Sequence, residues 1–180
     1  MDSASEVIAE GLEPVLTIDG LAQRLGATKG SFYHHFRDRT DLLLEIEKVR
    51  VEVLDDFAAR ADGIENPEER FRTYCVDAFS SRGYLNTEVF LERERVHNLE
   101  LDKAMKKADD KADAWQLQAV TDLGFSRRDA GRYLRVLKAA AIGLILLMMH
   151  EGIALPLEER IEFADTIVDL AMASASRDPA

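Results

Sequence analysis

The sequence predicts an all-α protein, with a three-helix N-terminal module built on a helix-turn-helix and a larger helical domain behind it. Three observations carry this. Only four Pro and ten Gly stand among 180 residues, which leaves long stretches without a breaker. Apolar residues recur at spacings of three and four along most of the chain. No segment alternates polar and apolar as a strand does, and no repeat is visible.

The elements follow in order. Residues 3–10 read as a short helix closed by Gly11. Thr17 can cap a second helix, IDGLAQRL, that stops at Gly26, and Thr28 can cap a third, KGSFYHHF. Asp38 caps a fourth, with Asp41 at its third position in a box-like arrangement. That helix runs through Leu42, Leu43, Ile46, Val49, Val53, Leu54 and Phe57. Gly63 to Asn66 interrupt it, Pro67 opens the next helix and Arg82-Gly83 end that one. From Thr87 to Leu123 the periodicity weakens into one or two helices with a charged stretch, KKADDKAD, at 106–113. Gly124 is a stop, Ser126 a cap, and the helix after it ends at Gly152 and Pro156. The last helix covers Leu157 to about Ala175.

Composition limits the function classes. The formal net charge is −11. Residues 1–50 carry six basic and nine acidic side chains, yet within 24–39 Arg24, Lys29, Arg37 and Arg39 face only Asp38. An acidic protein with one basic window is a poor non-specific polyanion binder but can still hold a focused anionic site, because screening weakens distant repulsion. The single Cys75 lies among apolar residues and reads as a buried, reduced thiol, as expected of a cytoplasmic protein. No secretory signal is visible at the N-terminus. The longest apolar run, AAAIGLILLMM at 139–149, has eleven residues. A span needs about 20, so no membrane is expected.

Between the caps Thr17 and Thr28, the segment has the proportions of a helix-turn-helix. Leu21, Leu25, Phe32 and Phe36 recur at helical spacing and would pack inward against Val7 and Ile8. The opposite face then carries Lys29, Gly30, Tyr33 and His34, with Ser31 near the helix start. Lysine and hydroxyl groups in a first turn suit base edges and phosphate oxygens, and Gly30 removes a side chain where a backbone must approach closely. Spacing alone equally allows a packed helical corner.

The stretch LTIDGLAQRLGATKGSFYHHFRDRTDLL, 16–43, resembles the DNA-binding module of the TetR family of bacterial transcriptional regulators. The likeness rests on Thr17-Ile18, Leu21-Ala22, Gly26 and Gly30-Ser31-Phe32-Tyr33-His34-His35-Phe36, followed by Asp38-Arg39 and Leu42-Leu43. It implies a DNA-facing set of Thr17, Thr28, Lys29, Gly30, Ser31, Tyr33, His34, His35 and Arg39. Lys29, Ser31 and His34 would reach base edges; Thr17, Tyr33, His35 and Arg39 would hold phosphates. It further implies a DNA-binding domain over 1–47 and a ligand-binding and dimerisation domain over 48–180. The function implied is that of a homodimeric repressor, released from a palindromic double-stranded operator by a small, largely apolar effector. The first helix is about two turns shorter than the resemblance implies. That keeps a second reading open: a small helical ligand-binding or enzymatic protein whose shortened module no longer binds DNA.

No catalytic or metal constellation is found. His34 and His35 are neighbours pointing about 100° apart, and there is no HExxH, Cys pair, GxSxG or phosphate loop. No cofactor is expected, and the chain is read as a non-enzyme. Glu94 and His97, three apart, can face one another in a pocket or make a solvated or capping contact. Tyr84, Phe90, His97, Met105 and Trp115 are the candidate effector-lining residues, although the large ones can equally be core.

Residues 127–151 carry two apolar faces, Ala130, Leu134, Leu137, Ala141, Leu144 and Met148 on one, Tyr133, Val136, Ala140, Gly143 and Leu147 on the other. Such a helix needs two partners, its own domain and a second copy of the chain. Ala139, Ala140, Ala141 and Gly143 would allow close approach, and Ile161, Ala164, Val168 and Ala171 are expected to supply the other stripe of the dimer.

Overall fold

The computed structural model describes residues 36–151 and 156–175, and every regular element among them is an α-helix. The helices expected over 3–10, 17–25 and 28–35 lie outside the described residues. Six helices follow: α1 (Arg39–Asp62), α2 (Pro67–Ser80), α3 (Arg82–Arg95), α4 (Leu99–Asp122), α5 (Arg127–Glu151) and α6 (Leu157–Ala175).

Most helix starts are those the caps predict. Asp38 accepts the Asp41 N–H at 2.9 Å. The Asp41 carboxylate does not return the bond to Asp38; it takes the Arg37 N–H at 3.1 Å and the Arg37 guanidinium at 2.9 Å. Asn66 accepts the Glu69 N–H at 3.0 Å with Pro67 in the first turn, and Ser126 accepts the Asp129 N–H at 3.2 Å. Gly124 stands at φ 98°, the left-handed backbone that closes a helix and favours glycine.

One boundary is corrected. Arg82-Gly83 do not end α2; they open α3. The break falls one residue earlier, where Ser81 turns extended and its N–H closes on the Asp77 carbonyl at 3.1 Å. The weak periodicity over 87–123 resolves into two helices, divided at residues 96–98. Asn98 caps the second by accepting the Leu101 N–H at 3.0 Å. Its pattern is weak because charged residues occupy slots that apolar ones would otherwise mark.

The described chain groups into two compact units. The first holds residues 36–53 and 82–109. Leu42, Leu43, Ile46, Leu85, Leu91, Leu101 and Met105 are its buried apolar side chains. The second holds 54–81, 110–151 and 156–175. There α2 packs on α6, with Phe79 and Phe163 meeting edge to face at 5.2 Å. Arg72 of α2 spans to Asp165 at 2.8 Å and Asp169 at 2.6 Å on α6.

Helix α5 divides its faces only in part as its sequence implies: Tyr133, expected on the outer face, turns into its own unit, where its hydroxyl donates to the Ile167 carbonyl at 2.9 Å and its ring meets Phe71 and Phe125. Ala130, Leu134, Leu137 and Leu144 are buried in the second unit, while Val136 is 68% exposed. Ile142, not part of the expected outer face, joins it at 55%. A Cβ built on Gly143 meets nothing within 4 Å. The expected α6 stripe is overturned: Ala164, Val168 and Ala171 are fully buried within the unit itself, leaving Leu170 outward. A run of small residues at helical spacing packs close to a neighbour, and here that neighbour is within the same chain.

Candidate functional site

Of the expected DNA-facing residues, Arg39 alone falls among the described ones; Thr17, Thr28, Lys29, Gly30, Ser31, Tyr33, His34 and His35 lie outside them. Arg39 opens α1 at the C-terminal end of the basic window. Its guanidinium meets the Glu94 carboxylate at two points, Nε to Oε2 at 3.2 Å and Nη2 to Oε1 at 2.8 Å. Beside this pair the Asn98 amide donates to the Thr40 hydroxyl at 2.9 Å. Two adjacent residues at the start of α1 are thus tied to the end of α3 and the turn after it. The neighbouring cation, Arg37, is paired with Asp41, which holds the Asp41 carboxyl below its ordinary range through the side-chain hydrogen bond and then the backbone one.

Glu94 was visible in the sequence only as a possible partner of His97. Its side chain goes instead to Arg39, 55 positions away, and its carbonyl accepts the His97 N–H at 3.1 Å. No local spacing announces such a contact.

Deeper in the same unit lies an ion cluster that the sequence reading did not anticipate. Arg50, 2% exposed, bonds Glu47 at 2.6 and 2.9 Å, Glu88 at 2.8 Å and Asp109 at 3.2 Å. Burial opposes its charge, but the Glu47 hydrogen bond and the Glu88 and Glu47 charges raise its pKa overall. Burial likewise pushes the Glu88 carboxyl above the usual range, and Arg50 pulls it back only in part. Arg95 joins the outer edge, bonding Asp102 at 3.0 Å and Glu92 at 2.7 Å. The buried slots that valine was expected to take on α1 belong partly to Glu47 and Arg50; Val49 and Val53 are only half-buried.

The effector candidates divide between the units. In the first, Tyr84 and Phe90 are half-buried on α3 and Met105 is fully buried on α4. His97 is exposed and lines an open depression of about 560 Å³ with Glu92, Arg95, Val96, Asn98, Leu99 and Asp102. In the second, Trp115 lies against Tyr74 with ring centres 4.5 Å apart and donates its indole N–H to Asp62 at 2.9 Å. Among the described residues, no group of His, Cys, Asp and Glu is arranged to hold a metal, and no helix is long and apolar enough to cross a membrane.

Residues 1–46 match the model of the bacterial regulatory proteins of the tetR family. The fold agrees over nearly the whole length. A transcriptional regulator from a Rhodococcus species shares 15% identity at TM-score 0.79, covering 99% of this chain and 96% of its own. FadR from Bacillus subtilis, solved with stearoyl-CoA, shares 15% at TM-score 0.69, covering 96% and 95%. AibR, solved with isovaleryl coenzyme A and operator DNA, shares 20% at TM-score 0.64, covering 93% of each. No curated protein gives a significant match to the chain.

Proposed function

We propose that this protein is a homodimeric, ligand-responsive repressor that leaves a palindromic operator when a small, largely apolar molecule binds. The observation that carries it is the family match over residues 1–46, ahead of helices whose fold is similar to that of solved TetR-family regulators. Residues 1–47 would contact DNA through Thr17, Thr28, Lys29, Gly30, Ser31, Tyr33, His34, His35 and Arg39. The remainder would dimerise and meet the effector, with Tyr84, Phe90, His97, Met105 and Trp115 as proposed contacts. Two proteins of similar fold were solved with acyl-CoA molecules, whose acyl chain is apolar although the coenzyme is large and anionic, so acyl thioesters are a further effector class to test beside small apolar compounds. A repressor of this kind requires that the effector prefer the conformation unable to hold DNA.

The experiment is selection of duplexes from a random-sequence pool by the full chain, followed by titration of acyl-CoAs of graded chain length into the complex. The expected result is an enriched inverted repeat with half-sites about 34–36 Å apart or a multiple of that, released by one length class. A pool that enriches nothing overturns the reading. A complex that forms but answers no effector retains the regulator and removes the acyl-CoA class.

A further inference from the structure

The basic window at 24–39 is where the sequence reading places phosphate contacts, and the structure shows its described cations already occupied. Arg37 is paired with Asp41, and Arg39 with Glu94. The two pairs differ in kind. Asp41 belongs to the cap of α1, so its contact comes with forming that helix. Glu94 stands at the far end of another helix, and its carboxylate meets the Arg39 fork in the two-point geometry a phosphate would use.

We propose that Glu94 is an internal competitor for the DNA backbone: its carboxylate holds the Arg39 guanidinium in the free protein and must yield it before Arg39 can take a phosphate. This rests on the DNA-binding reading and adds to it a regulatory residue outside the DNA-binding segment. The chemistry is an exchange of one anionic partner for another. The Arg39 side chain is 44% exposed and that of Glu94 26%, so the pair is solvent-accessible and can open without unpacking a core. Surface pairs of this kind are individually weak, so a polyanion can displace one. Asn98, in the turn after α3, is fastened to Thr40, which keeps Glu94 beside Arg39 in the free protein.

The test uses the full-length chain and a duplex of about 40 base pairs enriched by the wild type from a random pool. Wild type, Glu94→Gln, Arg39→Ala and the double variant are titrated between about 50 and 200 mM salt, with thermal melts confirming that each is folded. Glu94→Gln is expected to bind about three- to tenfold more tightly at the low-salt end. Its log–log salt slope should differ from that of the wild type by less than about one, because Arg39 takes the same phosphate in both and only the cost of freeing it changes. In the Arg39→Ala background the same change should alter affinity by less than about twofold. A Glu94→Gln protein that binds the enriched duplex equally or more weakly overturns the proposal while leaving the DNA-binding reading intact. So does a gain of equal size without Arg39, which would be simple charge repulsion. If neither wild type nor Glu94→Gln enriches or binds any duplex, the DNA-binding reading itself fails, and the proposal with it.

Discussion

Arg50 lays its guanidinium on Glu47 one turn earlier in α1, Nε to Oε2 at 2.6 Å and Nη2 to Oε1 at 2.9 Å, with both residues almost wholly out of water. A buried fork of this kind is dangerous to break from one side, because the partner keeps its charge and loses its compensation. Arg50→Met is therefore expected to destabilise the protein by about 3–5 kcal/mol. Glu47→Gln, which keeps one acceptor for the fork and leaves Glu88 and Asp109 in place, should cost less. Urea unfolding of both variants decides it; equal, small losses would mean the cluster is better hydrated than its burial shows.

The Glu88 carboxyl supplies a pH signature. Its folded pKa is raised by burial, so its ionised form costs stability at neutral pH, and the folded state takes up a proton before the unfolded one does. Glu88→Gln removes that cost. The variant's melting temperature relative to wild type should be most favourable at about pH 7–8 and fall back as the pH drops towards about 5. Asp41 and Asp102 work in the opposite sense: their pKa values are depressed in the fold, so what they contribute is present above the usual carboxylate range and lost in acid. A difference curve between wild type and Glu88→Gln cancels them, and a flat one would refute the assignment to Glu88.

On DNA, Lys29 and Arg39 should fail differently. Lys29→Ala is expected to weaken binding by an amount that depends on sequence, of order 1–3 kcal/mol at the preferred site. Arg39→Ala should weaken all sequences alike and flatten the salt slope by about one. Titrations on the enriched duplex and on a scrambled one separate the two patterns.

Dimerisation can be probed on one helix. Val136 and Ile142 face outward from α5, whereas Leu144 faces its own unit at 6% exposure. Val136→Glu should yield a folded monomer in sedimentation, with melting little changed beyond the loss of association. Leu144→Glu should unfold the chain, because it buries an unpaired charge. A wild type that sediments as a stable monomer at micromolar concentration would remove the interface altogether.

Much of the fold was legible because helices write themselves in local sequence. Caps such as Asp38, Asn66 and Ser126 act over three residues, and Gly124 and Pro67 act on their own backbone. The α2–α3 break was misplaced because Ser81 ends a helix through its backbone angles, which no side chain there advertises. Side-chain relationships over long separations were not legible at all. Arg39 and Glu94 stand 55 positions apart and Arg50 and Asp109 59; each residue alone looks like part of a solvated helix face. The α6 stripe misled because small residues signal close packing without naming the partner. As for the DNA-facing residues, all but Arg39 lie outside the described structure, so that part of the site rests on sequence.

The chain carries one cysteine and one tryptophan, and both belong to the second unit. Cys75 is 1% exposed, and burial pushes its thiol up to about 12; alkylation of the native protein must wait for that unit to open. Trp115 is held by the Tyr74 ring and Asp62, so its emission reports the same unit on a faster clock. The protein thus comes with a paired chronometer needing no engineered label. Thiol labelling times the rare openings and indole emission follows the intact state, and a compound that slows the first while shifting the second has stabilised the second unit.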